Sequence, residues 1–350
     1  VTSISKGEII EALSLEGEEQ ETLHDEACNL RDETVSNNLY FRGLIETSNI
    51  CVNDCLYCGI RTSNKKIKHF ELTSEEIMHC VDLAAERSLS AVVLQSGERR
   101  GPRYADDMAG VVSHIKKAHP AVSMTLSFGE LSRDQYQKLY EAGAERYLLR
   151  IETSDEKHYR RLHPEEMSFK NRLQCLENLR EIGYQIGSGV MINSPFQTLE
   201  NLADDILFLK NLDIDMCGMG PYIPHEESPL AHLPYAPDKA LSLGLNMIAL
   251  LRTAMPDINI AATTALETLS LHGKELGLLA GANVIMPQFS PPEKRGDYML
   301  YDNKPVAFEN YDDLINKLVE AGISCGMTPS LKDPGHSLHF LKRKNYDNTH

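Results

Sequence analysis

The chain has 350 residues, of which 42% are hydrophobic and 25% charged, with a net charge of −16. This is the profile of a globular protein of one large domain or two ordinary ones. No apolar run reaches the roughly 20 residues that cross a bilayer, so no membrane association is expected. The acid excess argues against nucleic acid as the main ligand, because nucleic-acid binders carry a basic stripe. The short basic clusters at 64–69 and 341–345 read as solvated faces.

The N-terminal stretch lacks a charged segment followed by an apolar one, so no secretory signal is expected and a cytoplasmic location is. The eight cysteines are therefore not read as a disulfide framework. Residues 1–40 read as a helical extension. Beyond them, short apolar, β-branched runs alternate with longer helical patterns. Strands are predicted around 42–47, 90–95, 122–127, 146–151, 185–191, 215–219, 258–262 and 282–286. A helix opens at Thr73 or Ser74, where either residue can cap and acids fill the first turn. Similar openings begin at 132 and 198, and Gly143 and Gly183 stand where helices end on glycine. A further helix is predicted at 310–322. Eight strands with intervening helices make an α/β fold, a (β/α)8 TIM barrel over 41–305 with an appendage at 306–350 packed on it. A doubly wound open sheet also fits the alternation.

In such a barrel, sites lie at the C-terminal ends of the strands. Several chemically capable residues fall there: Cys51 after the first strand, Ser96, Gly97 and Glu98 after the second, and Ser127 to Glu130 after the third. Glu152 follows the fourth and Thr263 with Thr264 the seventh.

Cys51, Cys55 and Cys58 form a C-x3-C-x2-C pattern. Four extended residues span roughly 13 Å, so the loop must coil to bring the three thiolates to one centre. Soft thiolates select zinc, copper(I) or iron–sulfur clusters. Structural zinc usually takes four protein ligands, and the nearest further candidates are His69 and Cys80. A four-iron cluster on three thiolates leaves one iron open for reaction. A zinc knuckle with a distant fourth ligand, or a non-catalytic iron–sulfur protein, is the alternative from another class.

The triplet after a first barrel strand, with Tyr57 before its last cysteine, resembles the radical S-adenosylmethionine (SAM) superfamily. The segments LIETSNICVNDCLYCGIR (44–61), VVLQSGE (92–98), TLSFGE (125–130), AERYLLRIETS (144–154), RLHPEEMSFKNRLQCL (161–176), DDILFLKNLDIDMCGMGPYIPH (204–225), IAATTA (260–265) and GANVIMP (281–287) are similar to the HydE family of [FeFe]-hydrogenase maturases. The likeness runs from about Tyr40 to about Tyr301. It implies one [4Fe-4S] cluster on the three cysteines and SAM as cofactor. Cleavage of SAM gives methionine and a 5′-deoxyadenosyl radical. The implied substrate is small and anionic or organometallic, a cysteine-bound Fe(CO)2(CN) complex made by HydG. HydF and a reducing ferredoxin or flavodoxin are the other implied partners. An enzyme of the same fold acting on an amino acid or another iron precursor is the alternative within the superfamily.

Two departures from the family stand out. Some members carry further C-terminal cysteines for a second cluster, whereas this stretch holds only Cys325, so one cluster is expected. The segment Met191 to Thr198 replaces a more glycine-rich version.

By the same resemblance, Tyr57 gives backbone contacts to adenine, and Ser96, Gly97 and Glu98 meet the methionine amino group. Glu152 holds the ribose hydroxyls, since an ionised carboxylate accepts two hydrogen bonds at once. Arg172 pairs with the methionine carboxylate through its planar fork, and Met216 packs near adenine and sulfonium. Arg42, Ser127, Thr263, Thr264, Tyr298 and Tyr301 line the substrate side. An arginine pointing into a barrel is costly unless paired with an anion, which points to a carboxylate or cyanide-bearing substrate for Arg42. Each residue also has a structural role open to it: a packed aromatic for Tyr57, ion pairing for Glu98 and Glu152, a surface charge for Arg172, core for Met216, an outward-facing charge for Arg42 and helix capping for Thr263 and Thr264.

Overall fold

The computed structural model describes residues 4–306 and 310–347. Residues 1–3 of the expected extension, and 307–309 and 348–350 of the expected appendage, lie outside the described residues. Helices α1 (Lys6–Leu13) and α2 (Gly17–Val35) come first. The first strand then crosses the expected division at 40/41, bending at Arg42 into β1 (Asn38–Phe41) and β2 (Gly43–Ser48). The barrel continues with α3 (Ser74–Glu86), β3 (Ala91–Ser96), α4 (Pro102–Ala118), β4 (Ser123–Ser127), α5 (Arg133–Glu141) and β5 (Arg146–Leu148). Next come α6 (Glu156–Leu162), α7 (Phe169–Ile182), β6 (Gln185–Ser188), β7 (Met191–Ile192), α8 (Leu199–Asn211), β8 (Met216–Cys217) and β9 (Gly220–Pro221). The chain closes with α9 (Pro237–Ala254), β10 (Asn259–Ile260), α10 (Thr264–Leu269), α11 (Gly273–Leu279), β11 (Val284–Ile285), α12 (Pro292–Arg295), α13 (Tyr311–Ser324), β12 (Thr328–Ser330) and α14 (Leu338–Asp347).

The helices start where side chains satisfy their first free N–H groups. Of the two candidate caps of α3, Thr73 serves: its Oγ1 accepts from Glu76 N at 3.2 Å, and the Glu76 carboxylate accepts from Thr73 N at 2.7 Å. Ser132 and Gln135 do the same for α5, and Thr198 and Asn201 for α8. Gly183 ends α7 in the left-handed region, at φ 105°.

Seven parallel strands lie in the order β10-β8-β6-β5-β4-β3-β2. β11 closes the ring. It pairs with β1 through Tyr40–Val284 and Phe41–Ile285, and single bridges join Ala261 to Val284 and Leu44 to Gln288. The result is a (β/α)8 barrel whose strands bury almost every residue, as a sheet covered on both faces requires. The fifth predicted strand breaks after Ser188, and its continuation β7 pairs with β9 at the mouth. The break follows from a close approach: a Cβ on Gly189 would lie 2.4 Å from Gly218 O.

The C-terminal segment forms the barrel base. β12 pairs in parallel with β1 on its free side. Residues 331–337 then run across the N-terminal ends of the strands. Leu331 O accepts from Ser90 N at 3.0 Å, Pro334 O from Arg146 Nη2 at 2.6 Å, and Gly335 O from Asn259 Nδ2 at 2.8 Å. This placement corrects the expectation for Arg42. It does point into the barrel, but towards the base, where Nη2 reaches Gly335 O at 3.3 Å and Nη1 the Met216 sulfur at 3.1 Å. The same contact puts Met216 beside Arg42 and away from the mouth. Among the described residues, no helix is long and apolar enough to cross a membrane.

Candidate active site

The cysteine loop follows β2 at the mouth and is held from three sides. Val52 N donates to Glu98 O at 2.9 Å, Leu56 N to Leu162 O at 2.9 Å and Gly59 N to Leu300 O at 2.8 Å. Asp54 closes the loop from behind, accepting from Arg61 Nη2 at 2.6 Å, Ser63 N at 3.1 Å and Ser63 Oγ at 2.8 Å. At Gly97 the β3 loop comes so near that a Cβ would sit 2.4 Å from Ile50 O and 2.9 Å from Cys51 Cβ. Glycine is needed there for the approach itself.

Cys51, Cys55 and Cys58 are free and half-buried. Burial pushes all three thiols up, Cys58 to about 12, and repulsion from the neighbouring thiols adds to this at Cys55 and Cys58. Three thiols crowded in this way become thiolates only against a cation. Among the described residues, no group of three or more His, Cys, Asp or Glu side chains converges as a single metal ion would require. Three soft donors spread along one loop fit a larger iron–sulfur group.

Inside the mouth lies a cavity of about 320 Å³. Its walls include ten of the residues singled out from the sequence: Tyr57, Cys58, Ser96, Glu98, Ser127, Glu152, Arg172, Thr263, Thr264 and Tyr301. Cys51 and Cys55 stand on the loop behind Cys58, and Gly97 behind Ser96. Tyr298 is buried outside the lining and reaches it through Gln95, whose Nε2 donates to Tyr298 Oη at 3.2 Å. Arg42 and Met216 lie outside the lining as well. A larger groove, of about 1230 Å³, runs between α3 and α4. It holds none of the cysteines, and the cavity in the mouth is the one that adjoins them.

The charges of the cavity come in pairs that leave hydrogen-bonding capacity unused. Arg172, from α7, lies 2.8 Å from Glu130 through its Nε. Neither Nε nor Glu130 Oε1 is aligned for a hydrogen bond. Burial is the largest influence and opposes the charge of Arg172, but Glu130, Tyr159 and Glu98 together outweigh it and hold the guanidinium ionised. Glu98 accepts from Glu130 N at 2.8 Å, and burial raises its carboxyl against the pull of Arg172. Gly129, at φ 78°, makes room for it, since a Cβ there would meet Glu98 Oε2 at 2.4 Å. Across the cavity, Glu152 pairs with Arg150 at 2.9 Å, again with Glu152 Oε2 and Arg150 Nε making no hydrogen bond. Thr263 Oγ1 is buried without a partner. Thr263 stands at the N-cap of α10, yet its side chain makes no capping bond. Buried polar atoms left open cost about 1–3 kcal/mol each, and here they ring one space. These open donors and acceptors suit a polar, charged ligand.

The Tyr57 hydroxyl lies 3.2 Å from His163 Nε2, while His163 Nδ1 lies 2.9 Å from Tyr159 O. A carbonyl only accepts, so Nδ1 carries the proton and Nε2 accepts from Tyr57. Burial drives His163 down to about 3, which keeps the ring neutral.

The sequence reading missed several wall residues. Arg150 lines the cavity, and Glu130 stands just outside it, paired with Arg172. Glu46, at a strand end, is wholly buried and forms an ion pair with Lys304, and its Oε2 accepts from Gln288 Nε2 at 2.6 Å. A charge close to a strand end was the available signal: Glu46 lies two residues before the end of β2 and Arg150 two residues past the end of β5, and alternate residues share a face. No local pattern marks Lys304.

The radical SAM superfamily model matches residues 45–209. The [FeFe] hydrogenase maturase subunit HydE of Thermotoga maritima is 45% identical over 290 residues, which cover 83% of this chain and 81% of that protein. Among solved structures, methylornithine synthase (PylB) superposes with a TM-score of 0.81 at 26% identity, covering 94% of this chain and 95% of that one. The maturase HydG of Carboxydothermus hydrogenoformans superposes with a TM-score of 0.73 at 21% identity, over 94% of this chain and 76% of that one, a likeness of fold alone.

Proposed function

From the premise that the chain belongs to the radical SAM superfamily and, within it, to the HydE family, we propose a division of labour among its cavity residues. The enzyme is a radical SAM enzyme of [FeFe]-hydrogenase maturation with a [4Fe-4S] cluster and SAM as cofactors. When bound, the reduced cluster supplies the electron that cleaves SAM to methionine and a 5′-deoxyadenosyl radical. Cys51, Cys55 and Cys58 hold the cluster. Arg172, ionised beside Glu130, pairs with the methionine carboxylate, and the run from Ser96 to Glu98 takes the amino group. Glu152 takes the ribose hydroxyls. Tyr57 presents its backbone to adenine while His163 fixes its ring. Ser127, Thr263, Thr264, Tyr301 and, through Gln95, Tyr298 form the substrate wall. Met216 and Arg42 belong to the base of the barrel, outside the cavity. Leu300, Tyr301 and Lys304 add a further side to the cavity, and a site shielded from water suits this chemistry.

The substrate of this reading is a small anionic organometallic complex, an iron-bound cysteine carrying CO and cyanide. HydG supplies it, the product passes on to HydF, and a ferredoxin or flavodoxin reduces the enzyme in the cytoplasm. The observation that carries the reading is the convergence of the cysteine loop with Glu98, Glu152 and Arg172 on one cavity whose polar atoms are left open. Anaerobic reconstitution followed by dithionite and SAM tests it. The expected products are 5′-deoxyadenosine and methionine in equal amounts, and their absence from protein with full iron content overturns the reading.

A further inference from the structure

Glu152 sits in a backbone conformation that a glutamate rarely adopts. Its φ is 67°, in the left-handed region, where a side chain with a Cβ costs about 1–2 kcal/mol. Such a residue persists only where its surroundings over-determine it. In front, the strands supply part of that constraint. Glu152 N donates to Gly189 O at 3.1 Å, and Glu152 O accepts from Met191 N at 2.9 Å.

Behind Glu152 the constraint comes from α8. Asp205 is wholly buried there. Its Oδ1 accepts both the backbone N–H and the hydroxyl of Ser154, each at 2.6 Å. Asp205 Oδ2 makes no hydrogen bond. The neighbouring residues are tied down as well: Thr153 Oγ1 lies 3.1 Å from His158 Nδ1, and Asp155 caps α6 by accepting from His158 N at 2.8 Å. A buried carboxylate with one oxygen unpartnered is an expensive way to hold a serine. What it holds stands two residues from the one strained acidic residue of the cavity.

We propose that Asp205 is a positioning residue for the cofactor: by clamping Ser154 it fixes the left-handed turn that aims the Glu152 carboxylate at the ribose hydroxyls. The proposal rests on the reading of Glu152 as the ribose acceptor. The clamp needs an acceptor at Oδ1 rather than a negative charge. Burial raises the Asp205 carboxyl to about 7, so a neutral side chain of the same shape is tolerated there.

The test uses the anaerobically reconstituted enzyme, with S-adenosylhomocysteine as a non-cleavable probe whose binding is measured by calorimetry. Amide hydrogen exchange over 152–155 is the second readout. Asp205→Ala is expected to weaken the probe about tenfold, the loss of one to two buried hydrogen bonds, and to speed exchange at Ser154, with iron content unchanged. Asp205→Asn, which keeps the acceptor, is expected to restore both. Ser154→Ala, which leaves the backbone bond in place, is expected to show a smaller loss, so the proposal stays testable if Asp205→Ala folds poorly. Unchanged probe affinity in Asp205→Ala and Ser154→Ala, alongside weakened binding in Glu152→Gln, overturns the role of Asp205 and leaves the ribose reading intact. Unchanged affinity in Glu152→Gln overturns the ribose reading and the proposal with it.

Discussion

The cysteine loop and the clamp of α14 both gather titratable groups, and they do so with opposite logic. In the loop, three thiols of like character are crowded together, and burial with mutual repulsion disfavours their charged forms. On α14, His339 stands between two carboxylates, with Nδ1 2.9 Å from Asp257 Oδ1 and Nε2 2.6 Å from Asp213 Oδ1. Lys342 adds a bond to Asp257 at 2.8 Å, and Arg343 one to Asp215 at 2.7 Å. His339, Lys342 and Arg343 each meet an opposite charge, and the outcome is an anchored α14. The difference shows that groups perturbed without a partner mark a place for something the chain does not itself supply, whereas perturbed groups that answer one another mark finished structure.

The largest effect is expected at the triplet. Cys55→Ala should abolish iron retention and SAM cleavage while leaving the urea midpoint of the metal-free chain nearly unchanged. A large drop in that midpoint would make the cysteine structural. Arg172→Ala comes next. Iron content should hold, and affinity for SAM should fall roughly 30-fold, about 2 kcal/mol for charge-assisted bonds. Normal binding by calorimetry would remove Arg172 from the carboxylate. Gly97→Ala should cost about 1–3 kcal/mol of stability by overpacking against Ile50 O and lower the iron content together with it, because the cysteine loop has to give way.

The smallest effect is expected on α14. His339→Ala should cost about 1 kcal/mol, with iron binding and SAM cleavage untouched. Its pH dependence has a definite sign. The bonds to Asp257 and Asp213 raise His339 above its ordinary 6.5. Its contribution is therefore complete below 6.5 and lost as pH rises through the folded-state value. Burial of Asp257 is outweighed by His339 and Lys342, which draw its carboxyl down to about 2. That contribution is complete above the ordinary 3.8 and lost as pH falls towards 2. Urea melts of wild type and His339→Ala should differ most between these limits and converge above the folded-state value of His339. A difference that stays constant to high pH would mean that the histidine acts by packing alone.

Much of the site was legible because its signals are local. Caps such as Thr73 and Thr198, the glycine at 183 and the spacing of the triplet each act within a few residues, so the sequence carries them openly. The strand ends were placed closely enough to bring Ser96, Ser127, Glu152 and Thr263 to one mouth. Arg42 and Met216 were misplaced for a physical reason. The face of a strand residue is set by alternation, whereas its depth depends on the stagger of eight strands and on what fills the base. Here residues 331–337, nearly three hundred positions from Arg42, supply the carbonyls that fill it.

The sequence by itself determined the chemistry and the alternating architecture of this protein, since a soft-ligand triplet, capping residues and apolar periodicity need no distant partner to be read. Tertiary structure alone decided the left-handed turn at Glu152, the clamp from Asp205, the Glu46–Lys304 pair and the closing of the base. Each of these joins residues far apart along the chain, and their energies exist only once the barrel has brought them together.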